Sequence, residues 1–299
     1  MKQGEASRTA EGAAAARAMH TLLVESPIFE DPYAVKLTSP AWRRLSTTPV
    51  LSWLAKNILL RPLRSVQAQV VVRSRYAEEL LLQAVAAGVR QYVIVGAGFD
   101  SFSFRRRDLE SALRVFEFDH ADTQRLKLQR LLALEEPMPE NLQCIAVDFE
   151  QETMADALRK SDYDLAQPGF FSWLGTTPYL TNAATLATLR AIAASAAGGS
   201  EIVFDYLVPA ALVPESERAA MRRLKRFTDR RGEPLIGEFN PSEIEPLLES
   251  AGFELIENLD QAEQVKRYFS QRTDGLAPLA AGYLVHARVK PSTNKDNIQ

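Results

Sequence analysis

The chain has 299 residues, 46% hydrophobic and 24% charged, with a net charge of -3. These are the proportions of one ordinary soluble α/β domain with an added segment, able to bury its core without staples. Its single cysteine, Cys144, excludes an internal disulfide and a thiolate metal set, and we expect a reducing, cytoplasmic setting. With no apolar stretch approaching about 18 residues, no leader-like start and an acidic balance, we expect no membrane span, signal peptide or nucleic-acid partner.

In chain order, Met1–Ser7 reads as loose and Glu11–Glu25 as an alanine-rich helix. Pro27, Pro32, Pro40 and Pro49 cut the next stretch into short pieces, in which Trp42 and Trp53 predict a helical lid with apolar faces covering the main sheet. Val66, Val70, Leu80, Leu81 and Val85 share one face of a long helix over Arg64–Ala87, ended by Gly88. Apolar runs and helical patterns then alternate. Strands are predicted at Tyr92–Val95, Leu113–Phe118, Leu142–Val147, Gly169–Trp173 and Glu201–Tyr206, with helices at His120–Glu135, Gln151–Arg159 and Asn182–Ala197. A helical insertion over Val213–Arg230 follows, then a helix opened by Pro241 and closed by Gly252, then strands at Phe253–Ile256 and Tyr283–Val289.

The pattern predicts an α/β fold: a doubly wound, mostly parallel seven-stranded Rossmann-like sheet with an N-terminal helical extension and a helical insertion after the fifth strand. We divide the chain into an extension or lid (1–87), a core domain (88–290) and a disordered tail (291–299).

Ligands of such sheets bind at the carboxyl ends of the strands. Gly96, Asp119, Asp148, Gly175 and Asp205 all stand directly after apolar runs. Each aspartate alone reads equally well as the cap of the following helix. Between the first two strands, however, Gly96-Ala97-Gly98 offers a bare backbone, and Asp119 is placed to receive a ribose diol. The loop lacks the third glycine of a dinucleotide fingerprint, and Asp100 puts a negative charge where a phosphate would sit. A like charge repels an anion and suits a sulfonium or ammonium, so the expected cofactor is S-adenosyl-L-methionine.

RTAEGAAAARA, DPYA at Asp31–Ala34, VRSR at Val72–Arg75, the VGAGFDS loop, FEFD, VDFE, and FSWLGTTPYLT followed by FDY lie in that order. Over nearly the whole chain they resemble the leucine carboxyl methyltransferase family, especially its bacterial S-adenosyl-L-methionine-dependent branch. The resemblance implies that Arg73 pairs with the methionine carboxylate of the cofactor, a bidentate match for a guanidinium. Arg75 is its neighbour in sequence, and a plain surface arginine is the other reading. Gly96 and Gly98 would let the loop pass under the methionine portion. Asp119 would take the ribose hydroxyls, with Glu117 as rival, and Asp148 with Phe149 would hold the adenine. The family's glutamate before the glycine of the fourth-strand segment is Leu174 here. Asp100, or backbone carbonyls near Gly96 or Trp173, would then have to meet the cofactor's amino group.

Methyl transfer from a sulfonium is an in-line displacement, for which alignment and exclusion of water matter most. A carboxylate acceptor is already ionised, whereas a hydroxyl usually needs a base. His120 reads as a cap or a residue of the adenosine side, His286 as a strand residue, and His20 lies in the extension; none has an acid partner at the fourth or fifth strand end. That pattern favours O-methylation of a small carboxylic acid. Tyr179 and Tyr206 are candidates for orienting the acceptor, with core packing the alternative. The run Met221–Arg231 reads as a solvated basic face, or as the source of an arginine, Arg226 or Arg230, for an acidic substrate. Two other readings stay open: a nicotinamide-dependent oxidoreductase, and a catalytically silent interaction module made thinkable by Leu174.

Overall fold

The computed structural model describes residues 7–149, 151–230 and 232–291; residues 1–6 of the Met1–Ser7 start, Glu150, Arg231 and the tail beyond 291 lie outside them. Five helices come first: α1 (Arg8–Leu23), α2 (Ala34–Leu37), α3 (Pro40–Thr47), α4 (Pro49–Leu54) and the long α5 (Arg64–Ala86). Strands and helices then alternate as β1 (Gln91–Val95), α6 (Phe102–Arg105), β2 (Arg114–Asp119), α7 (Ala121–Leu132), β3 (Leu142–Ala146), α8 (Met154–Arg159), β4 (Phe170–Trp173), α9 (Asn182–Ser195) and β5 (Glu201–Leu207). The chain closes with α10 (Glu215–Asp229), α11 (Pro241–Ala251), β6 (Phe253–Leu259), α12 (Gln261–Gln264) and β7 (Gly282–Val289).

The strands pair in the order β3-β2-β1-β4-β5-β7-β6. β1 to β5 are parallel, and β7 runs antiparallel between β5 and β6. The order reverses between β1 and β4, which opens a crevice outside their carboxyl ends. Successive side chains of a strand point to opposite faces. Tyr92 and Ile94 therefore join Val72, Tyr76 and Leu81 of α5 in one core, while Val93 and Val95 join Leu158, Leu189, Ile192, Ile244 and Leu248 in the other. Phe116, Phe118, Phe170, Phe171 and Trp173 are all buried; each such side chain contributes about 1.5–3 kcal/mol.

Local chemistry explains where the elements depart from the predicted limits. α8 starts at Met154 rather than Gln151 because Thr153 and Asp156 close a capping box. α7 starts one residue late because His120 is its cap, its Nδ1 accepting from the Asp122 N–H at 3.3 Å. β6 runs on to Leu259, paired with β7. His286, in β7, lies 2.8 Å from Glu201, the strand role expected of it.

Trp53 and the apolar residues around it do not face inward as expected. Ser46, Ser52 and Ala55 face inward, whereas Val50, Trp53, Ile58 and Leu59 point to solvent, Trp53 being 59% exposed. Small residues occupy the inner side of α4 and of the turn that follows it, whereas Trp42 of α3 is half-buried. A polar network adds to the apolar packing of the N-terminal helices. Arg17 of α1 pairs with Asp31 at 2.9 Å and donates to the Phe99 carbonyl at 2.6 Å, while Ser101 donates to Asp31 at 2.6 Å. Arg105 lies between Asp31 and Glu78, 3.8 and 2.8 Å away. This buried network ties α1 and α5 to the glycine loop. Among the described residues no helix is long and apolar enough to cross a membrane.

Candidate active site

Three strand ends meet at one edge of the sheet. The Gly96 and Ala97 N–H groups donate to the Phe118 carbonyl at 2.8 and 3.1 Å, and the Val147 N–H donates to the Asp119 carbonyl at 2.9 Å. The glycine loop, Asp119 and Asp148 are thereby held at adjacent positions, the loop turning through φ of +69° at Gly96 and +53° at Gly98. Asp119 accepts from the Gly98 N–H at 2.5 Å and the His120 N–H at 2.6 Å. Burial nonetheless raises its pKa above the ordinary carboxylate range, against the pull of these two donors. A carboxylate oxygen has two lone pairs, so each can accept once more. Glu117, the rival, is unavailable: it is buried and lies 2.5 Å from the buried Lys127 ammonium. Asp148 accepts from the Gln151 side-chain amide at 2.9 Å, and the ring of Phe149 is 40% exposed. The Asp100 carboxylate accepts from the Phe102 N–H at 2.7 Å, which keeps a negative group in the loop.

A second cluster gathers at β4 and β5. Arg73 of α5 meets Asp205 at 2.9 Å, and the other oxygen of Asp205 accepts from the Gly175 N–H at 2.5 Å. A Cβ on Gly175 would fall 2.3–2.7 Å from the guanidinium atoms, and its φ is +70°. Glycine is required there for Arg73 to lie where it does. Arg75 points away, exposed, with Glu79 3.7 Å off. The two clusters adjoin, since a Cβ on Gly96 would lie 2.7 Å from Thr176 Oγ1.

Beside Arg73 and Asp205 opens a cavity of about 150 Å³ between α1, α5 and α10, walled by Ala13, Ala16, Met19, Trp42, Leu63, Val66 and Phe227. Tyr179 and Gln69 also line it. The Tyr179 phenol is hydrogen-bonded with Thr9, and burial pushes its pKa up to about 12.

One predicted site residue is not here, and another comes to the strand end by its backbone alone. Trp173 is 1% exposed and packs against Phe204 in the core on the far face of the sheet, so only its backbone reaches the strand end. Tyr206 is likewise 1% exposed, its hydroxyl donating to Asn258 at 3.2 Å and its ring lying between Phe239 and Tyr283. On α10, Arg222, Arg223, Arg226 and Arg230 are exposed and Lys225 pairs with Glu238 at 2.5 Å. Leu224, Phe227 and Thr228 are the side chains that face the cavity, so among the described residues of the run these arginines lie on the solvated side and Arg226 and Arg230 do not line the cavity. Sequence reasoning missed Gln69, although a glutamine sharing a helix stripe with Val66, Val70 and Arg73 is a polar break in an apolar face.

Residues 10–193 match the family model for leucine carboxyl methyltransferase. Among curated proteins, the Bacillus subtilis (strain 168) "Putative S-adenosyl-L-methionine-dependent methyltransferase YktD" is 30% identical, with 96% of this chain and 99% of that protein covered. A Mycobacteroides abscessus protein described in the same terms, without the name, is 33% identical over 72% of this chain and 70% of its own. Among solved structures, a duf574 family protein from Streptomyces avermitilis superposes with a TM-score of 0.62 at 18% identity, covering 92% of this chain and 97% of that one, a likeness of fold.

The residues present fit that cofactor: a glycine loop carrying Asp100 in place of a phosphate cradle, Asp119 with acceptor capacity left, and a guanidinium cleared by Gly175. The nicotinamide and non-enzymatic alternatives give way. The chain belongs to the leucine carboxyl methyltransferase family and is an S-adenosyl-L-methionine-dependent methyltransferase.

Proposed function

We propose that the protein transfers the methyl group to a carboxylate oxygen of a small, largely apolar acid. Residues 1–87 would serve as the lid over a core of 88–290. In this reading Arg73 holds the cofactor's carboxylate, Gly96 and Gly98 underlie its methionine portion, Asp119 takes the ribose, and Asp148 with Phe149 holds the adenine. The cofactor supplies an electrophilic methyl; the protein's work is to bind, orient and exclude water.

The observation that carries the choice of acceptor is the state of the ionisable groups around the cavity. Asp205 is occupied by Arg73 and the Gly175 N–H. Tyr179, with its pKa raised to about 12, keeps its proton at neutral pH and can donate a hydrogen bond but not remove a proton. No lining residue is thus a ready base, and a hydroxyl acceptor would want one. A carboxylate does not, and the apolar wall of Trp42, Met19 and Phe227 suits its hydrocarbon part.

The test is the bond formed. With methyl-labelled S-adenosyl-L-methionine and a panel of small aromatic and aliphatic acids, the label should enter a product that mild alkali releases as methanol. Label that resists alkali, as in a methyl ether, would refute the carboxyl assignment.

A further inference from the structure

Gln69 of α5 is 4% exposed and lines the acceptor cavity, yet neither its Oε1 nor its Nε2 has a hydrogen-bond partner. An amide buried without partners costs free energy of the order of a hydrogen bond, and buried side-chain amides are ordinarily satisfied. Room for this one has been made. A Cβ on Gly282, at the start of β7, would fall 2.5 Å from the amide carbon and Oε1 and 2.9 Å from Nε2. Gln69 precedes Arg73 by four residues, one helical turn, and Gly282 stands to Gln69 as Gly175 stands to Arg73. α5 therefore lowers two polar groups on the same face over two glycines. One is committed to Asp205; the other has nothing.

Resting on the acid-acceptor reading above, we propose that Gln69 is the specificity residue that anchors a second polar group of the acceptor, a hydroxyl or carbonyl apart from the carboxylate that receives the methyl. Oε1 can accept and Nε2 can donate, so a hydroxyl can use either. The rest of the lining is mostly apolar, its polar groups Arg73, Asp205 and Tyr179 already having partners, and a cavity of about 150 Å³ takes a body the size of one ring. A second cavity of about 490 Å³ adjoins the first, sharing Met19, Leu60 and Gln67 with it. The substrate class is thus a small apolar hydroxy or oxo acid rather than a plain hydrocarbon acid.

The experiment measures binding of benzoic acid and 4-hydroxybenzoic acid to the full chain loaded with S-adenosylhomocysteine, for wild type, Gln69→Met and Gln69→Asn, alongside their melting temperatures. We expect wild type to prefer 4-hydroxybenzoate by about tenfold. Gln69→Met should abolish the preference without lowering the melting temperature, because it removes an unsatisfied amide. Gln69→Asn, keeping the amide but shortening its reach, should lose most of the preference. A preference that survives in Gln69→Met, equal affinities in wild type, or a fall of several degrees on Gln69→Met, as when a buried water satisfies the amide, would each overturn the assignment. Ester formation from both acids with no wild-type preference would sink the anchor alone and leave methyl transfer to a carboxylate standing. A preference for 4-hydroxybenzoate with alkali-stable product would make the hydroxyl the nucleophile and overturn the carboxylate reading together with the anchor. Failure of wild type to bind either acid would remove both.

Discussion

Arg73 and Asp205 stand 132 residues apart in the chain and 2.9 Å apart in the fold, and the Gly175 N–H holds the far oxygen of the same carboxylate. One guanidinium thus joins the extension helix to the ends of β4 and β5. Arg73→Ala would leave Asp205 largely buried with one donor. We predict a loss of about 2 kcal/mol of stability, discounted from the cost of breaking a fully buried pair, and at least a tenfold loss of S-adenosylhomocysteine affinity by calorimetry. Gly175→Ala should reproduce the affinity loss without removing the charge, by driving the guanidinium aside. Unchanged affinity in both variants would remove Arg73 from the cofactor site.

Asp119 and Glu117 share a face of β2 but have different work. Asp119→Asn sets an NH2 group against one of two backbone N–H donors, at a cost of about 1–3 kcal/mol, and should weaken cofactor binding by at least tenfold. Glu117→Gln strands the buried Lys127 charge. It should destabilise the fold strongly, by about 3–5 kcal/mol, while folded protein keeps its cofactor affinity. Calorimetry on both variants at a temperature where each is folded checks the pair.

Tyr179→Phe removes a donor from the cavity wall and should lower kcat/KM by about tenfold, the scale of one hydrogen bond to a charged group. Tyr206→Phe loses only the bond to Asn258. It should cost about 1 kcal/mol of stability with kinetics intact. Equal kinetic effects would mean that neither tyrosine touches the acceptor.

His20, buried in α1, accepts the Ile28 N–H on Nε2 at 3.0 Å, and burial first, then Arg272, lowers its pKa from 6.5 to about 4. A base with a depressed folded pKa contributes stability that is complete above the unfolded value and fades as pH falls through the folded one. Between pH 6.5 and 4 the protein should therefore lose roughly 2–3 kcal/mol from this group. Denaturant titrations across that window should show the slope, and His20→Gln, which can still accept from Ile28, should flatten it.

Much of the architecture was written in strong local signals. Apolar runs, most of them rich in phenylalanine and valine, marked β1 to β5, and Pro241 and Gly252 bracketed α11. The glycine loop and Asp119 could be placed at strand ends from their motifs, and the resemblance singled out Arg73 on the inner side of α5. The face of the Tyr206 ring could not be placed, because a strand residue's face depends on which helices pack there, and that ring, like the ring of Trp173, fell on the side of α8, α9 and α11. Asp205 showed itself as a strand end, but its partner came from another part of the chain. Trp53 and its neighbours were expected to face inward because apolar residues usually do. Here Ser52 and Ala55 occupy that side instead.

The most direct test is a crystal structure of the protein with S-adenosylhomocysteine. The account predicts the ribose on Asp119, the amino-acid carboxylate on Arg73, and the sulfur facing the cavity bounded by Tyr179 and Gln69. A ligand whose sulfur points away from that cavity, or whose carboxylate lies beyond the reach of Arg73, would contradict it.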